Sequence, residues 1–352
     1  MFFNNLIFIL ILIVYSYCQN SFLLHIANKN KFVPLSDNDF KKPQAFHEKS
    51  TFRLGGISIF FSLIFLFLYL YFYKNIFFME YITFCTLFFI LGLIDDLKIN
   101  IRPKFRLLIM IFFLLNLVIF NDFYIERTGL KFLNELLATD IFALFFISLC
   151  FLFIINGSNL IDGFNGLLSI HSLIIFIILY IINLLTGNHE FAFVLICASL
   201  IILTFLKFNF PKAQFFLGDS GAYLIGAFIA ISIIKTSILN PEISPFFFCI
   251  LLFYLFFEVF FSFFRKIFLA RQSPLLPDNK HLHMFCFKFL RKKKNSKIQS
   301  NYKTSIYINL IYLFLILPAI FFYENGLFCR YYFFFLLIVY TYLYKMLYER
   351  VK

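Results

Sequence analysis

Two adjacent carboxylates, Asp95 and Asp96, close one apolar run of this 352-residue chain, and a third, Asp219, opens another within Gly218-Asp219-Ser220-Gly221. Neighbouring carboxylates repel each other and lose hydration at a membrane interface, a cost that a cation would offset. Because Mg2+ takes one or two carboxylates and completes its shell with phosphate oxygens, these three acids suit a metal and diphosphate site, with Mg2+ or Mn2+ as the ion. The pair would also suit a solvated helix end beside Lys98 and Arg102, although acids at a helix C-terminus oppose its dipole. Gly218 to Gly221 could turn backbone amides toward an anion, or Asp219 or Ser220 could simply cap the helix that begins there.

Asp162 lies in Asn156-Gly-Ser-Asn159-Leu-Ile-Asp162-Gly-Phe-Asn165-Gly166, a loop with three glycines and no Lys or Arg. Asn side chains donate and accept, so they can read a uracil edge or a ribose hydroxyl, and Gly lets the backbone approach a ligand; a polar turn at a helix end is the plainer alternative. His281 and His283, beside Lys280, are spaced i and i+2, a poor zinc pair but one able to hydrogen-bond a phosphate or sugar. Glu258 is the one acid deep in the ninth apolar run, a functional candidate by its position or else an interhelical pairing partner.

The chain that must position these groups is 62% apolar and 14% charged, far from the roughly half and quarter of a soluble domain, which excludes a water-soluble globule. Apolar runs near 6–27, 54–73, 76–94, 105–120, 138–156, 167–185, 191–206, 222–237, 246–264, 305–323 and 328–346 predict an all-α polytopic membrane bundle of about 11 helices in a single membrane domain. The first run lacks a basic leader and a small-residue cleavage site, so it is expected to be a retained helix. With the N-terminus outside and the C-terminus cytoplasmic, the inner segments 28–53, 95–106, 157–166, 207–221, 265–304 and 345–352 hold 26 of the 31 Lys and Arg. The positive-inside rule therefore turns nearly every polar cluster to the cytoplasm, and the net charge of +13 is assigned to topology and anionic membrane lipids, with no nucleic acid. Seven cysteines without a C-x-x-C pair indicate neither a disulfide frame nor zinc.

Six clusters in this order carry a resemblance: Arg53-Leu-Gly-Gly56, Asp95-Asp96-Leu-Lys98, Asn159-Leu-Ile-Asp162-Gly, Phe208-Asn-Phe-Pro211, Gly218-Asp219-Ser-Gly221, and Ser273-Pro274 through Pro277-Asp278 to Lys280-His281-Leu-His283. From about residue 37 to 285 the chain resembles the polyprenyl-phosphate N-acetylhexosamine-1-phosphate transferases, relatives of phospho-N-acetylmuramoyl-pentapeptide transferase. The forms of these motifs resemble the branch that starts surface glycans such as O-antigen or teichoic acid. Asn165 stands where the family commonly has a second Asp, Glu258 where this branch commonly has Asp, and Met284 where the muramoyl-pentapeptide branch has a third His.

The resemblance implies transfer of a sugar 1-phosphate from a UDP-N-acetylhexosamine to polyprenyl phosphate with release of UMP, at the cytoplasmic face of a bacterial inner membrane. It implies Mg2+ at Asp219 and one of Asp95 or Asp96, with the other carboxylate orienting or deprotonating the lipid phosphate. Substrate contacts would come from Arg53, Lys98, Asn159, Asp162, Asn165, Lys280, His281 and His283, and a homodimer is an admissible assembly. A secondary transporter would instead place polar groups at mid-bilayer in two related halves, and no internal repeat is seen here; an inactive lipid-binding homologue is the third alternative, motivated by Asn165 and Met284.

Overall fold

The computed structural model describes residues 2–30, 35–37, 51–99, 101–121, 123–125, 127–269, 271, 273 and 279–352. Its helices are α1 (Phe2–Asn30), α2 (Gly55–Lys74), α3 (Met79–Asp96), α4 (Pro103–Asn121), α5 (Lys131–Leu137), α6 (Asp140–Ile161), α7 (Leu167–Leu185), α8 (His189–Asn209), α9 (Gly218–Leu239), α10 (Pro245–Leu251), α11 (Phe253–Phe264), α12 (Leu282–Lys292), α13 (Lys297–Phe321) and α14 (Gly326–Val351). Every apolar run falls on a helix, which makes the chain an all-α polytopic membrane bundle. Among the described residues, nine helices are long and apolar enough to cross a bilayer, and α10 with α11 would make a tenth. The remaining run is α3, whose 18 residues include Glu80, Asp95 and Asp96.

The ninth run departs from the expected single span. α10 and α11 meet at 74°, and the break falls at Leu252, with φ −93° and ψ 2°, in the sparsely allowed bridge region. A π-helical turn, Arg265–Leu269, follows α11. Also absent from the hydropathy pattern are α5 and α12, the latter a short helix with Leu282, Phe285 and Cys286 buried and a basic last turn.

α9 is the centre of the bundle. Apart from Asp219 and Lys235 its residues from Gly218 to Thr236 are buried on all sides, as expected of a helix that is apolar around its whole circumference. It packs on α2, α3, α6 and α7. In lipid such packing depends on close contact rather than on the hydrophobic effect, so small residues lie at the crossings: Gly92 of α3 rests against the backbone of Asp219, and Gly226 of α9 against Ile155 and Ser158 of α6. Peripheral apolar side chains point outward instead, Ile141 at 85% and Phe120 at 81% exposure, which suits a lipid-facing surface. α3 and α9 run antiparallel. At one end Lys235 pairs with Glu80 at 3.2 Å, and at the other the end of α3 meets the start of α9.

A small sheet braces that second end. β1 (Ser36–Asp37) pairs antiparallel with β2 (Thr51–Arg53), which pairs parallel with β3 (Phe215–Phe216), Arg53 lying opposite Phe216. The ladder continues as Leu54 N–H donates to Phe216 O at 3.2 Å and Gly56 N–H to Leu217 O at 2.8 Å. The starts of α2 and α9 are thereby tied together, and Arg53 is delivered beside Asp219.

Candidate active site

Asp96 ends α3 and caps another helix. Its Oδ1 accepts the amide of Asp219 and its Oδ2 the amide of Ser220, each at 2.9 Å. A carboxylate at the C-terminus of its own helix is disfavoured, but here it sits on the positive N-terminus of α9, where the dipole and the unpaired amides favour it. Gly218 makes this possible. Its φ is +81°, and a Cβ there would stand 2.6 Å from Asp96 Oδ2, so a side chain is excluded both by conformation and by space.

Asp219, in the first turn of α9, is thus presented outward. Asn159 Nδ2 donates to its Oδ1 at 2.8 Å, while Arg53 Nη1 donates to its Oδ2 at 3.4 Å and to Asp96 Oδ1 at 3.2 Å. Asp95 faces a different partner, as Arg106 Nη1 of α4 donates to its Oδ2 at 2.7 Å. Burial, and then the charge of Asp219, raise the Asp96 carboxyl above the ordinary carboxylate range, against the Ser220 and Arg53 contacts that favour the anion. Burial also raises Asp95, opposed mainly by Arg106.

These carboxylates fit a hard divalent ion on one observation: a single cationic nitrogen of Arg53 lies between oxygens of Asp96 and Asp219, so acids from two helices already face a shared positive charge. Among the described residues no three His, Cys, Asp or Glu converge on a point. An ion held here would rest on two carboxylates and take its other ligands from phosphate and water, as Mg2+ commonly does.

Asp162 closes α6 in the same neighbourhood. Burial pushes its carboxyl well above the ordinary carboxylate range, with the Asp219 charge adding to the shift and Arg53 opposing it. Asn165 is turned another way: its Nδ2 donates to Pro211 O at 3.0 Å and its backbone N–H to Asn301 Oδ1 at 2.9 Å. Next to it, Gly166 N–H donates to Asn209 Oδ1 at 2.7 Å, and Asn209 Nδ2 donates to Phe215 O at 3.0 Å. The Asp162 loop and the segment leading into α9 are therefore stitched to each other.

The histidines form a second cluster. His281 Nδ1 lies 3.0 Å from Glu258 Oε2, and His283 Nδ1 lies 3.1 Å from Tyr254 Oη. Burial lowers the His283 imidazole to about 4, and its side chain is wholly inaccessible. This cluster touches the first through Phe164, whose ring packs edge-on to His283 and against Phe287. Lys280 is exposed and its carbonyl accepts from Tyr344 Oη at 3.0 Å. Lys98 stands exposed in the turn after α3, with φ +59°. Pro274, Pro277 and Asp278 of the sixth motif lie outside the described residues.

Of the sequence candidates, then, Arg53, Asp96, Asn159 and Asp219 make direct contacts, Asp95 and Asp162 adjoin them electrostatically, and the His281 and His283 pair is joined through packing. Arg106 is the site residue that spacing alone does not single out. Its one signal is a charge just inside an apolar run. It lies in the first turn of α4, which begins at Pro103, and from there it reaches the Asp95 carboxylate.

A sequence profile of glycosyl transferase family 4 matches residues 78–237, from α3 through most of α9. The chain is 28% identical over 273 residues to the undecaprenyl-phosphate alpha-N-acetylglucosaminyl 1-phosphate transferase of Thermotoga maritima, covering 77% of this chain and 78% of that protein. It is 33% identical over 239 residues to the phospho-N-acetylmuramoyl-pentapeptide-transferase of Dictyoglomus turgidum, covering 65% and 74%. The protein of the same name from Dictyoglomus thermophilum is 33% identical over 196 residues, with 53% and 59% covered. With its motifs brought to one end of a membrane bundle and relatives matched across most of their length, the chain belongs to glycosyl transferase family 4.

Proposed function

We propose that the protein transfers a sugar 1-phosphate from a UDP-N-acetylhexosamine, GlcNAc-like, to undecaprenyl or a similar polyprenyl phosphate, releasing UMP at the cytoplasmic face of a bacterial inner membrane as the first step of a surface glycan. The observation that carries this reading is Asp219, held at the N-terminus of the central helix between Arg53, Asn159 and Asp96. A site at one end of the bundle can take a prenyl tail from lipid and a nucleotide from water.

Both reactants are anions, so the task is to bring them together and align them in line, with little covalent chemistry left to the protein. When bound, Mg2+ would supply charge neutralisation between the two phosphates, held by Asp219 with Asp96 or Asp95. Arg53 offers its guanidinium to a phosphate oxygen, and whichever of Asp95 and Asp96 does not hold the ion orients or deprotonates the lipid phosphate, Asp95 being steadied by Arg106. Asn159 and Asp162 hold the nucleotide, Lys98 and Lys280 add positive charge at the rim, and His281 meets the diphosphate or sugar.

A second reading, transfer of phospho-N-acetylmuramoyl-pentapeptide, is favoured by the names of the Dictyoglomus relatives. Purified protein given undecaprenyl phosphate, Mg2+ and separate UDP-sugars decides between them: UMP from UDP-GlcNAc or UDP-GalNAc supports the first, UMP only from UDP-MurNAc-pentapeptide the second, and UMP from none refutes both. Facing is tested by cysteines at Lys98 and Thr128. Labelling of the first only after the cytoplasmic face is opened, and of the second from outside, is expected; the reverse would overturn the orientation.

A further inference from the structure

Glu258 is a carboxylate in the middle of α11, 1% exposed, among Phe256, Phe257, Phe260 and Phe261. An acid there is costly unless both oxygens are satisfied. They are, and by the same short stretch of chain. Oε2 meets His281 Nδ1 at 3.0 Å, and Oε1 accepts the amide of Leu282 at 3.2 Å, the first residue of α12. One turn earlier on the same face of α11, Tyr254 reaches His283 Nδ1 at 3.1 Å. The two imidazoles stand parallel, 2° apart in plane, with centroids at 5.4 Å.

The two rings are not equivalent. His283 has no exposed side-chain surface, and its Nε2 is buried without a hydrogen-bond partner among the described residues. His281 keeps 4% exposure, and its Nδ1 edge is the one turned to Glu258. An ionised carboxylate can only accept, so this contact needs a proton on Nδ1. That leaves Nε2, on the opposite side of the ring, as the atom able to meet a ligand.

We propose that Glu258 is a positioning residue: it fixes His281 with Nδ1–H turned into the bundle and Nε2 directed to the nucleotide-sugar donor, while His283 braces α12 and makes no donor contact. This rests on the transferase reading for the identity of the ligand, but not for the pairing itself. Carboxylates behind metal-binding histidines act in this way by fixing tautomer and ring orientation, and their loss typically lowers metal affinity or activity about 10- to 100-fold, the scale taken here for His281.

Two measurements test it. In UMP-release kinetics on the full-length protein, Glu258→Gln should lower kcat/KM for the UDP-sugar by about 10- to 100-fold while KM for polyprenyl phosphate stays within about twofold, and Glu258→Asp should recover part of the loss. In a His281→Ala background, Glu258→Gln should add no more than about twofold, because the residue it orients is gone. Losses that multiply in the double variant would overturn the proposal and make Glu258 a general structural acid. The second readout is independent of turnover: in 15N-histidine spectra of the detergent-solubilised protein, the resonance that His281→Ala removes should report a protonated Nδ1, and Glu258→Gln should shift it. A wild-type ring protonated only at Nε2 would overturn the pairing even if the enzyme is active. Absence of UMP from every donor would refute the transferase reading and leave the spectra to decide the pair.

Discussion

Asp96 holds Asp219 by the backbone: its Oδ1 accepts the Asp219 amide at 2.9 Å across 123 positions of sequence, and Oδ2 takes the next amide, Ser220, at the same distance. One carboxylate therefore fixes where the other stands. The two should respond differently to the same substitution. Asp96→Asn can offer only one oxygen, so an amide at the start of α9 faces an NH2 group and loses its partner, a loss of about 1–3 kcal/mol in stability. Asp219→Asn leaves the capping contacts in place. Thermal unfolding in detergent should thus show a lowered midpoint for Asp96→Asn and little change for Asp219→Asn, with UMP release lost in both. Equal midpoints would mean that the cap contributes nothing.

Arg53 and a metal ion would claim the same oxygens, since one guanidinium nitrogen lies 3.2 Å from Asp96 and 3.4 Å from Asp219. Activity should require Mg2+ or Mn2+ and stop in excess chelator. More tellingly, Arg53→Gln should let Mn2+ bind severalfold more tightly in the absence of substrate, as followed by electron paramagnetic resonance, while turnover falls because a phosphate contact is lost. Weaker Mn2+ binding in the variant would show that the arginine supports the ion rather than standing in for it.

The acids and asparagines of this site were legible in the sequence because a membrane chain has few reasons to keep such groups between apolar runs. Their partnerships were not. Asp95 and Asp96 are adjacent, yet one meets Arg106 of α4 and the other the amides of α9, a division set by how helices pack and invisible to spacing. Asn165 is expected at the nucleotide sugar, and its hydrogen bonds to Pro211 and Asn301, which tie its loop to two other elements, are not legible from spacing. The bend between α10 and α11 left no trace either, because Leu252 sits in an unbroken apolar stretch without Pro or Gly. The strands β1 to β3 are only two or three residues long, too short for an alternating pattern to register.

His283 gives a pH prediction with a definite sign. Burial lowers its folded value to about 4 from an ordinary 6.5, so the neutral ring's stabilising contribution is fully present above 6.5 and is lost as pH falls toward 4, up to about 3 kcal/mol. The thermal midpoint of the wild type should fall across that window. His283→Gln, which can still bond Tyr254, should show a shallower fall between pH 6.5 and 4 than the wild type. Parallel curves would mean that the ring titrates elsewhere or not at all.

Asn165 gives the sharpest separation between pocket and metal. Its side-chain amide donates to Pro211 O, while its backbone N–H is held by Asn301 of α13, so the residue ties the loop carrying Asp162 to two other elements. Asn165→Asp removes the donor and sets a carboxylate against a carbonyl, which should cost about 1 kcal/mol in stability at this partly exposed contact. The loosened loop should raise KM for the UDP-sugar. The Mg2+ concentration for half-maximal rate should stay where it is, because the new charge is tethered near Pro211 and not beside Asp219. Kinetics with Mg2+ and UDP-sugar varied independently separate the two effects. If the substitution instead sharply lowered the Mg2+ requirement, the loop would have to swing Asn165 toward Asp219 in the working enzyme, and the natural amide would be a weakened member of the metal shell.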